Sequence, residues 1–335
     1  MRAWVAARPG HFRNVLELKT DWPTPAPPKT GEIMIKISYA ALNPGNIKMI
    51  AFKIPFMRNA IVGLDFVGEI IQVGPSASPS NLRVGMIVGG SVPLSKAFRG
   101  VGALADYVVV PADSVAEKPP GLDESVAAGL LGVAGQTSVR LLRAANLRRG
   151  DRALVNGASG GVGTILIQAL CGMGVKVTGI CSAKNEALVR RLGAEEVVDY
   201  TAHESLYDHI SATCATPGSG PFDAVFDCMG NMTLYDRSPE YLKPEGKFLE
   251  IEAGPLALFN SNNWWPVILG GTPRAFVNIF SAPSGASAQE AASWVEKGWI
   301  KEIPVDSTFE MRDALQGFEK LATKRAVGKV FVKVK

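Results

Sequence analysis

Histidine and cysteine are scarce in this chain. Only His11, His203 and His209 occur in 335 residues, and the four cysteines, Cys171, Cys181, Cys214 and Cys228, all fall in the central segment with no C-x-x-C spacing. A zinc site needs three or four such ligands at recognisable spacing, so no metal is expected. Cys171 and Cys181 sit in apolar stretches, where cysteine behaves as a small hydrophobe, and a disulfide framework is not expected either. Long runs of Lys and Arg are also missing. With 35 basic and 31 acidic residues the formal charge is +4, too mild to point to nucleic acid. No apolar run approaches the length of a membrane span, and the start, Met1-Arg-Ala-Trp-Val-Ala-Ala-Arg8-Pro9, is broken by charge and proline before a signal-peptide core forms. The expectation is a cytoplasmic protein with neither a membrane nor a nucleic-acid partner. An apolar fraction of 47% and a charged fraction of 20% fit an ordinary globular chain, long enough for two domains.

Glycine, by contrast, is plentiful, and it is concentrated where it does most. The stretch Ala153-Leu-Val-Asn-Gly157-Ala-Ser-Gly160-Gly161-Val-Gly163 reads as a buried strand ending in a glycine turn that opens into a helix reaching Cys171. Glycines at 157, 160 and 163 allow a tight turn, close approach of backbone to a pyrophosphate, and close packing of helix on strand. The helix N-terminus adds unpaired N–H groups and a positive dipole end, and Ser159 adds a hydroxyl donor. Residues 175–181 follow as a second strand. An NAD-binding unit places an Asp or Glu just beyond it, to grip the ribose 2′-hydroxyl. Here that place holds Ser182, Ala183, Lys184 and Asn185. A carboxylate would repel a 2′-phosphate, whereas a hydroxyl and an ammonium receive it, so the expected cofactor is NADPH. The plainer reading makes Ser182 the cap of a helix over residues 185–192 and Lys184 a solvated charge; the two roles are compatible.

The first 125 residues have another style. Alternating stretches at 32–39, 65–73, 86–88 and 106–110, each bounded by Gly or Pro, argue for a compact all-β unit. From about residue 122 the pattern turns to strand–helix alternation, with further strands expected at 196–200, 224–228, 246–251 and 275–280. That alternation predicts a doubly wound parallel sheet covered on both faces. The tail, helical over 311–322 and a strand over 328–334, returns to the first style.

Seven pieces of the chain, in order, resemble one family. They are Ala41-Leu-Asn43-Pro44-Gly-Asn46-Ile-Lys48, Gly63-Leu-Asp65-Phe-Val-Gly68, Gly102-Ala-Leu-Ala-Asp-Tyr107, Ala134-Gly135-Gln-Thr137, the glycine turn, Asp227-Cys-Met-Gly230, and Gly328-Lys329-Val. Together they are similar to the medium-chain dehydrogenase/reductase superfamily, in its zinc-free quinone-oxidoreductase (zeta-crystallin-like) and enoyl-reductase branch. The resemblance implies an α/β protein in two domains. A GroES-like β domain is formed by both chain ends, residues 1–125 and 299–335, and a central Rossmann domain with a doubly wound parallel sheet by residues 126–298, with the active site in the cleft between them. It also implies a homodimer through the strand at 275–280, since an unpaired apolar edge would be a liability. The family's zinc-dependent alcohol dehydrogenases carry a Gly-His-Glu motif and ligand cysteines. Here Gly63-Leu-Asp65 stands in place of that motif and no cysteine precedes Cys171. The reaction implied is hydride transfer to an acceptor that is already electron-poor, a quinone or a carbon–carbon double bond conjugated to a carbonyl.

By family position, Asn43 should face the nicotinamide and Thr137 the nicotinamide or its ribose. Ser159, Gly160, Gly161 and Val162 match the pyrophosphate turn, Ser182 and Lys184 the 2′-phosphate pocket, and Tyr200 a tyrosine that packs on the adenosine. Lys48, the charged group nearest Asn43 in sequence, is the expected proton donor or enolate stabiliser; its other reading is a surface lysine after a turn. Relatives often have Asp where this chain has Asn46, and the tyrosine of mitochondrial-type enoyl-thioester reductases is missing from residues 49–56, which counts against a fatty-acid role. Phe52, Phe56, Met57, Trp264 and Trp265 offer apolar walls for a small apolar or aromatic substrate, or contacts between domains or subunits. Two alternatives remain open at this point: a redox-neutral isomerase or cyclase on the same scaffold, and a non-catalytic NADPH-binding protein.

Overall fold

The computed structural model describes residues 1–51, 59–75, 82–251, 267–280 and 282–335. Phe52, Phe56, Met57, Trp264 and Trp265, proposed above as pocket walls, lie outside the described residues. The chain divides into two compact units: Met1–Gln136 with Ala282–Lys297 and Ile303–Lys335, and Thr137–Ser281 with Gly298–Glu302.

The first unit is built on the long strand Glu32–Leu42. Its alternation puts Ile33, Ile35 and Ile37 on one buried face, as a half-buried strand requires. It pairs antiparallel with Asp65–Val73, Tyr107–Pro111 and Lys329–Lys333, and the sheet continues through Ile87–Ser91 to Val115–Glu117. At its other edge Val305–Glu310 runs parallel to Lys329–Lys333. A smaller sheet joins Leu16–Lys19, Ala3–Ala6 and Ala60–Ile61. The core draws on both chain ends, with Trp4, Phe12, Phe66 and Val88 packed with Phe318, Val330 and Val332.

The helices Glu124–Leu130 and Gly285–Glu296 belong to this unit, not to the parallel-sheet unit where the sequence pattern put them. Ala127, Ala128, Leu131 and Ala288 bury themselves among Ala41, Val67 and Phe331 of the β unit. An apolar helix face does not say which sheet it covers. The helical stretch Glu124–Ala145 also has the length and apolar character of a membrane span, contrary to the sequence reading. Of its apolar window 78% is buried inside the protein, as in a core helix.

The second unit is a six-stranded, fully parallel sheet. Numbered along the chain, its strands are Arg152–Asn156, Lys176–Cys181, Glu196–Asp199, Phe222–Asp227, Leu242–Glu250 and Ala275–Asn278, and they lie in the order 3-2-1-4-5-6. That is the doubly wound Rossmann order, with its reversal beside the first strand. Parallel strands covered on both faces read as continuous apolar runs, and Ala153–Val155 and Ala224–Phe226 are fully buried. Tyr235, Phe248 and Phe276 close the far end of this core, with ring centroids 4.7–5.6 Å apart. Among the described residues the last strand is an edge, shorter than the sequence suggested. Phe280 just beyond it is 68% exposed and Ile268 91%.

Candidate active site

The first strand of the parallel sheet ends at Asn156 and the helix Gly161–Gly172 begins five residues later. Gly157 turns the chain with φ +79°, a conformation that favours glycine. Gly163 lets the helix settle on that turn, because a Cβ there would lie 2.3 Å from the Gly157 carbonyl oxygen. Gly160 caps the helix without a side chain, which leaves first-turn N–H groups, those of Gly161 and Val162 among them, directed at whatever lies beyond the sheet edge. A twelve-residue helix preceded by a glycine turn fits a dinucleotide pyrophosphate. Below the turn, Asp227 is buried and accepts from Asn156 Nδ2 (2.8 Å), Met229 N (2.9 Å) and Asn231 N (2.5 Å). Burial raises its pKa against the pull of those donors.

The second and third strands end together, with Cys181 opposite Asp199. Ser182 and Lys184 follow one strand and Tyr200 the other, so the register brings all three to one edge. Tyr200 is 55% exposed and Lys184 is exposed. Ser182 precedes a short 3-10 turn, Ala183–Asn185, and its side chain makes no capping hydrogen bond; the helix proper is Glu186–Arg191. Asn185 supplies a contact the sequence did not reveal. Its Nδ2 donates to Ser159 Oγ (2.9 Å), tying the glycine turn to the Ser182–Lys184 loop. Asp199 is also at this edge. It accepts from Thr201 N (2.9 Å) and Thr201 Oγ1 (2.8 Å), and these bonds hold its pKa below the carboxylate range.

Asn43 belongs to the first unit, between the strand Glu32–Leu42 and the helix Pro44–Ala51. Asn46 Oδ1 accepts from Asn43 N (2.8 Å), the reach-back bond of a capping box, with Pro44 at the first helical position. Asn46 is therefore committed to the helix start. Lys48, in the last turn, is exposed. The ammonium on the Asn43 side chain is Lys329: its Nζ lies 2.6 Å from Asn43 Oδ1 and 3.2 Å from the Leu42 carbonyl oxygen. Asn43 Nδ2 in turn donates to Asp65 Oδ2 (2.7 Å). Sheet register assembles this cluster. Asp65 is opposite both Ala41 and Ser91, and Val330 is opposite Leu42. Ser91 Oγ (2.8 Å) and Val133 N (2.9 Å) complete the donors to Asp65 Oδ1. Asp65 and Lys329 are almost wholly buried, and burial pushes the first pKa up and the second down. The bonding is that of the ions, since Asp65 only accepts and Lys329 only donates. Thr137 opens the second unit and is buried. Among the described residues no group of three His, Cys, Asp or Glu side chains is placed to hold a metal ion.

This combination, a β unit carrying Asn43 and a parallel-sheet unit carrying the glycine turn, is matched in known proteins. Residues 29–120 match the family model for the alcohol dehydrogenase GroES-like domain, and residues 192–332 that for zinc-binding dehydrogenase. The chain is 32% identical to medium chain reductase pydE of Acremonium sp, with all of this chain and 99% of the relative covered. The chain belongs to the medium-chain dehydrogenase/reductase superfamily. It is an oxidoreductase that uses a nicotinamide dinucleotide. It is also 30% identical, over the whole chain and 98% of the relative, to trans-enoyl reductase poxH of Penicillium oxalicum. Among solved structures it superposes on the quinone oxidoreductase of Coxiella burnetii with a TM-score of 0.83, at 25% identity and with 100% and 99% of the two chains covered. The GroES-like and Rossmann assignments hold.

Proposed function

We propose that the protein is a zinc-independent, NADPH-dependent reductase whose acceptor is a quinone or a carbon–carbon double bond conjugated to a carbonyl. The choice of NADPH rests on the loop after Cys181. Ser182, with a hydroxyl free of capping duty, and the exposed Lys184 stand where an NAD site carries its ribose-gripping acid. Bound NADPH supplies the hydride. The chain supplies the rest: first-turn N–H groups and Ser159 for the pyrophosphate, Ser182 and Lys184 for the 2′-phosphate, Tyr200 for the adenosine, Thr137 and Asn43 for the nicotinamide end, and Lys48 for the proton.

Zinc independence is supported by the residues themselves. No cysteine precedes Cys171, and Leu64 and Asp65 fill the place of the ligand motif. Without a Lewis acid the acceptor must already be electron-poor, and relatives named trans-enoyl reductase and quinone oxidoreductase agree with that chemistry. The edge strand Ala275–Asn278, with Phe280 exposed just beyond it, supports a homodimer. Calorimetric titration tests the cofactor assignment. NADPH should bind at least about tenfold more tightly than NADH, a difference of about 1.4 kcal/mol, and Lys184→Glu should erase the gap. Equal affinities in the unaltered protein would overturn the assignment.

A further inference from the structure

The Asn43 amide is held by two opposite charges on one edge. Lys329 Nζ donates to its oxygen at 2.6 Å, its nitrogen donates to Asp65 Oδ2 at 2.7 Å, and those two charged atoms are 3.8 Å apart. A primary amide has two lone pairs and two N–H bonds in one plane. One of each points along the edge away from Cβ, and the other pair points along the two flanks. Partners only 3.8 Å from each other must both occupy the far edge. One N–H and one lone pair on the flanks are left over. The amide cannot be turned over, because that would set its oxygen against the Asp65 carboxylate and its NH2 against the ammonium. Space is also fixed from behind, since a Cβ on Gly132 would lie 2.5 Å from Asp65 Oδ2. The Lys329 cation on the oxygen draws electrons from nitrogen toward oxygen, which makes the remaining N–H a stronger donor, while the Asp65 carboxylate fixes which way that N–H points.

A buried ion pair is a poor way to stabilise a core, so its presence here asks for another reason. We propose that Asp65 and Lys329 are positioning residues that lock and polarise the Asn43 amide so that its free N–H donates to a carbonyl oxygen of the bound nicotinamide or of the acceptor. This rests on the reductase reading above. Neither residue touches the reacting atoms; each acts through Asn43.

A double-mutant cycle isolates that dependence. Asp65→Asn and Lys329→Met are made in the unaltered chain and in Asn43→Ala. The readouts are the NADPH dissociation constant, kcat/KM for the acceptor, and the melting temperature. Each substitution should raise the NADPH dissociation constant or lower kcat/KM about tenfold with Asn43 present and less than about twofold with Ala at 43, and Lys329→Arg should restore most of the loss. A loss in NADPH affinity identifies the nicotinamide carbonyl, and a loss in kcat/KM alone the acceptor carbonyl. Equal losses in both backgrounds would overturn the proposal. Should Lys329→Met fail to fold, side-chain amide NMR of asparagine-labelled unaltered protein decides. The two Asn43 Nδ2 protons should be well separated, and the one that does not face Asp65 should shift when NADPH or acceptor is added. No shift with either would overturn the proposal. Failure of the unaltered protein to oxidise NADPH would instead sink the reductase reading, while the affinity cycle and the NMR still judge the pair.

Discussion

The bond from Asn185 Nδ2 to Ser159 Oγ joins the glycine turn to the Ser182–Lys184 loop, and it changes what each residue in that loop can be asked to do. Ser159 accepts there, so its own hydroxyl hydrogen is left for the proposed pyrophosphate. Ser182→Asp puts a carboxylate where the proposal places a 2′-phosphate. It should lower kcat/KM with NADPH at least about tenfold while sparing NADH, in steady-state assays with both cofactors. Unchanged preference would mean the 2′-phosphate is held elsewhere. Lys48→Met should lower kcat about a hundredfold if Lys48 delivers the proton, and activity within twofold of the unaltered protein would remove it from that role. The placement of Ser159, Ser182, Lys184 and Tyr200 was legible in sequence because it is local: each follows a predictable strand. The Asn43 cluster was not. Lys329 is 286 residues away from Asn43, and only the sheet register shows that they meet.

At the scale of the element, the glycine turn is the most constrained feature. Gly163→Ala drives a Cβ to 2.3 Å from the Gly157 carbonyl, so helix or turn must move. The expected cost is about 1–3 kcal/mol in urea unfolding, with weaker dinucleotide binding; a variant as stable and as tight-binding as the original would contradict the packing described. The helix and strand around the turn also carry two thiols, Cys171 half-buried and Cys181 buried. Burial, with Glu195 near Cys171 and Asp199 near Cys181, pushes both pKa values up to about 11. At pH 8 about one thiol in a thousand is then ionised, against about a quarter for a free cysteine, so alkylation should be at least about a hundredfold slower than for free cysteine. Its rate should rise about tenfold per pH unit until near 11, as mass spectrometry of labelled peptides can follow. Labelling of Cys171 at the free-thiol rate would contradict this. The parallel strands were readable because burial on both faces makes them continuously apolar. Val305–Glu310 was not, because four of its six residues are polar, none is buried and the apolar ones do not alternate.

Across the whole molecule, sequence order recovered the β, α/β, β arrangement, but it misassigned two helices. Glu124–Leu130 and Gly285–Glu296 follow the rhythm of the parallel-sheet segment, yet they bury their alanines against the β unit. Small side chains at a close contact carry little directional signal. The exposed Phe280 just beyond the edge strand leads to the proposed dimer. Sedimentation should give a dimer, near twice the chain mass of 35.6 kDa, and Phe280→Glu should shift it to monomer. A monomer in the unaltered protein would contradict that assembly. A net reduction at the expense of NADPH is followed by the ultraviolet absorbance of the reduced nicotinamide. NADPH and NADH are compared against a panel of quinones, enones and enoyl thioesters. The account predicts that NADPH is consumed with a quinone or an enone while NADH is spared. Equal use of the two cofactors would contradict the Ser182 and Lys184 assignment, and tight NADPH binding without consumption on any acceptor would contradict the reductase itself.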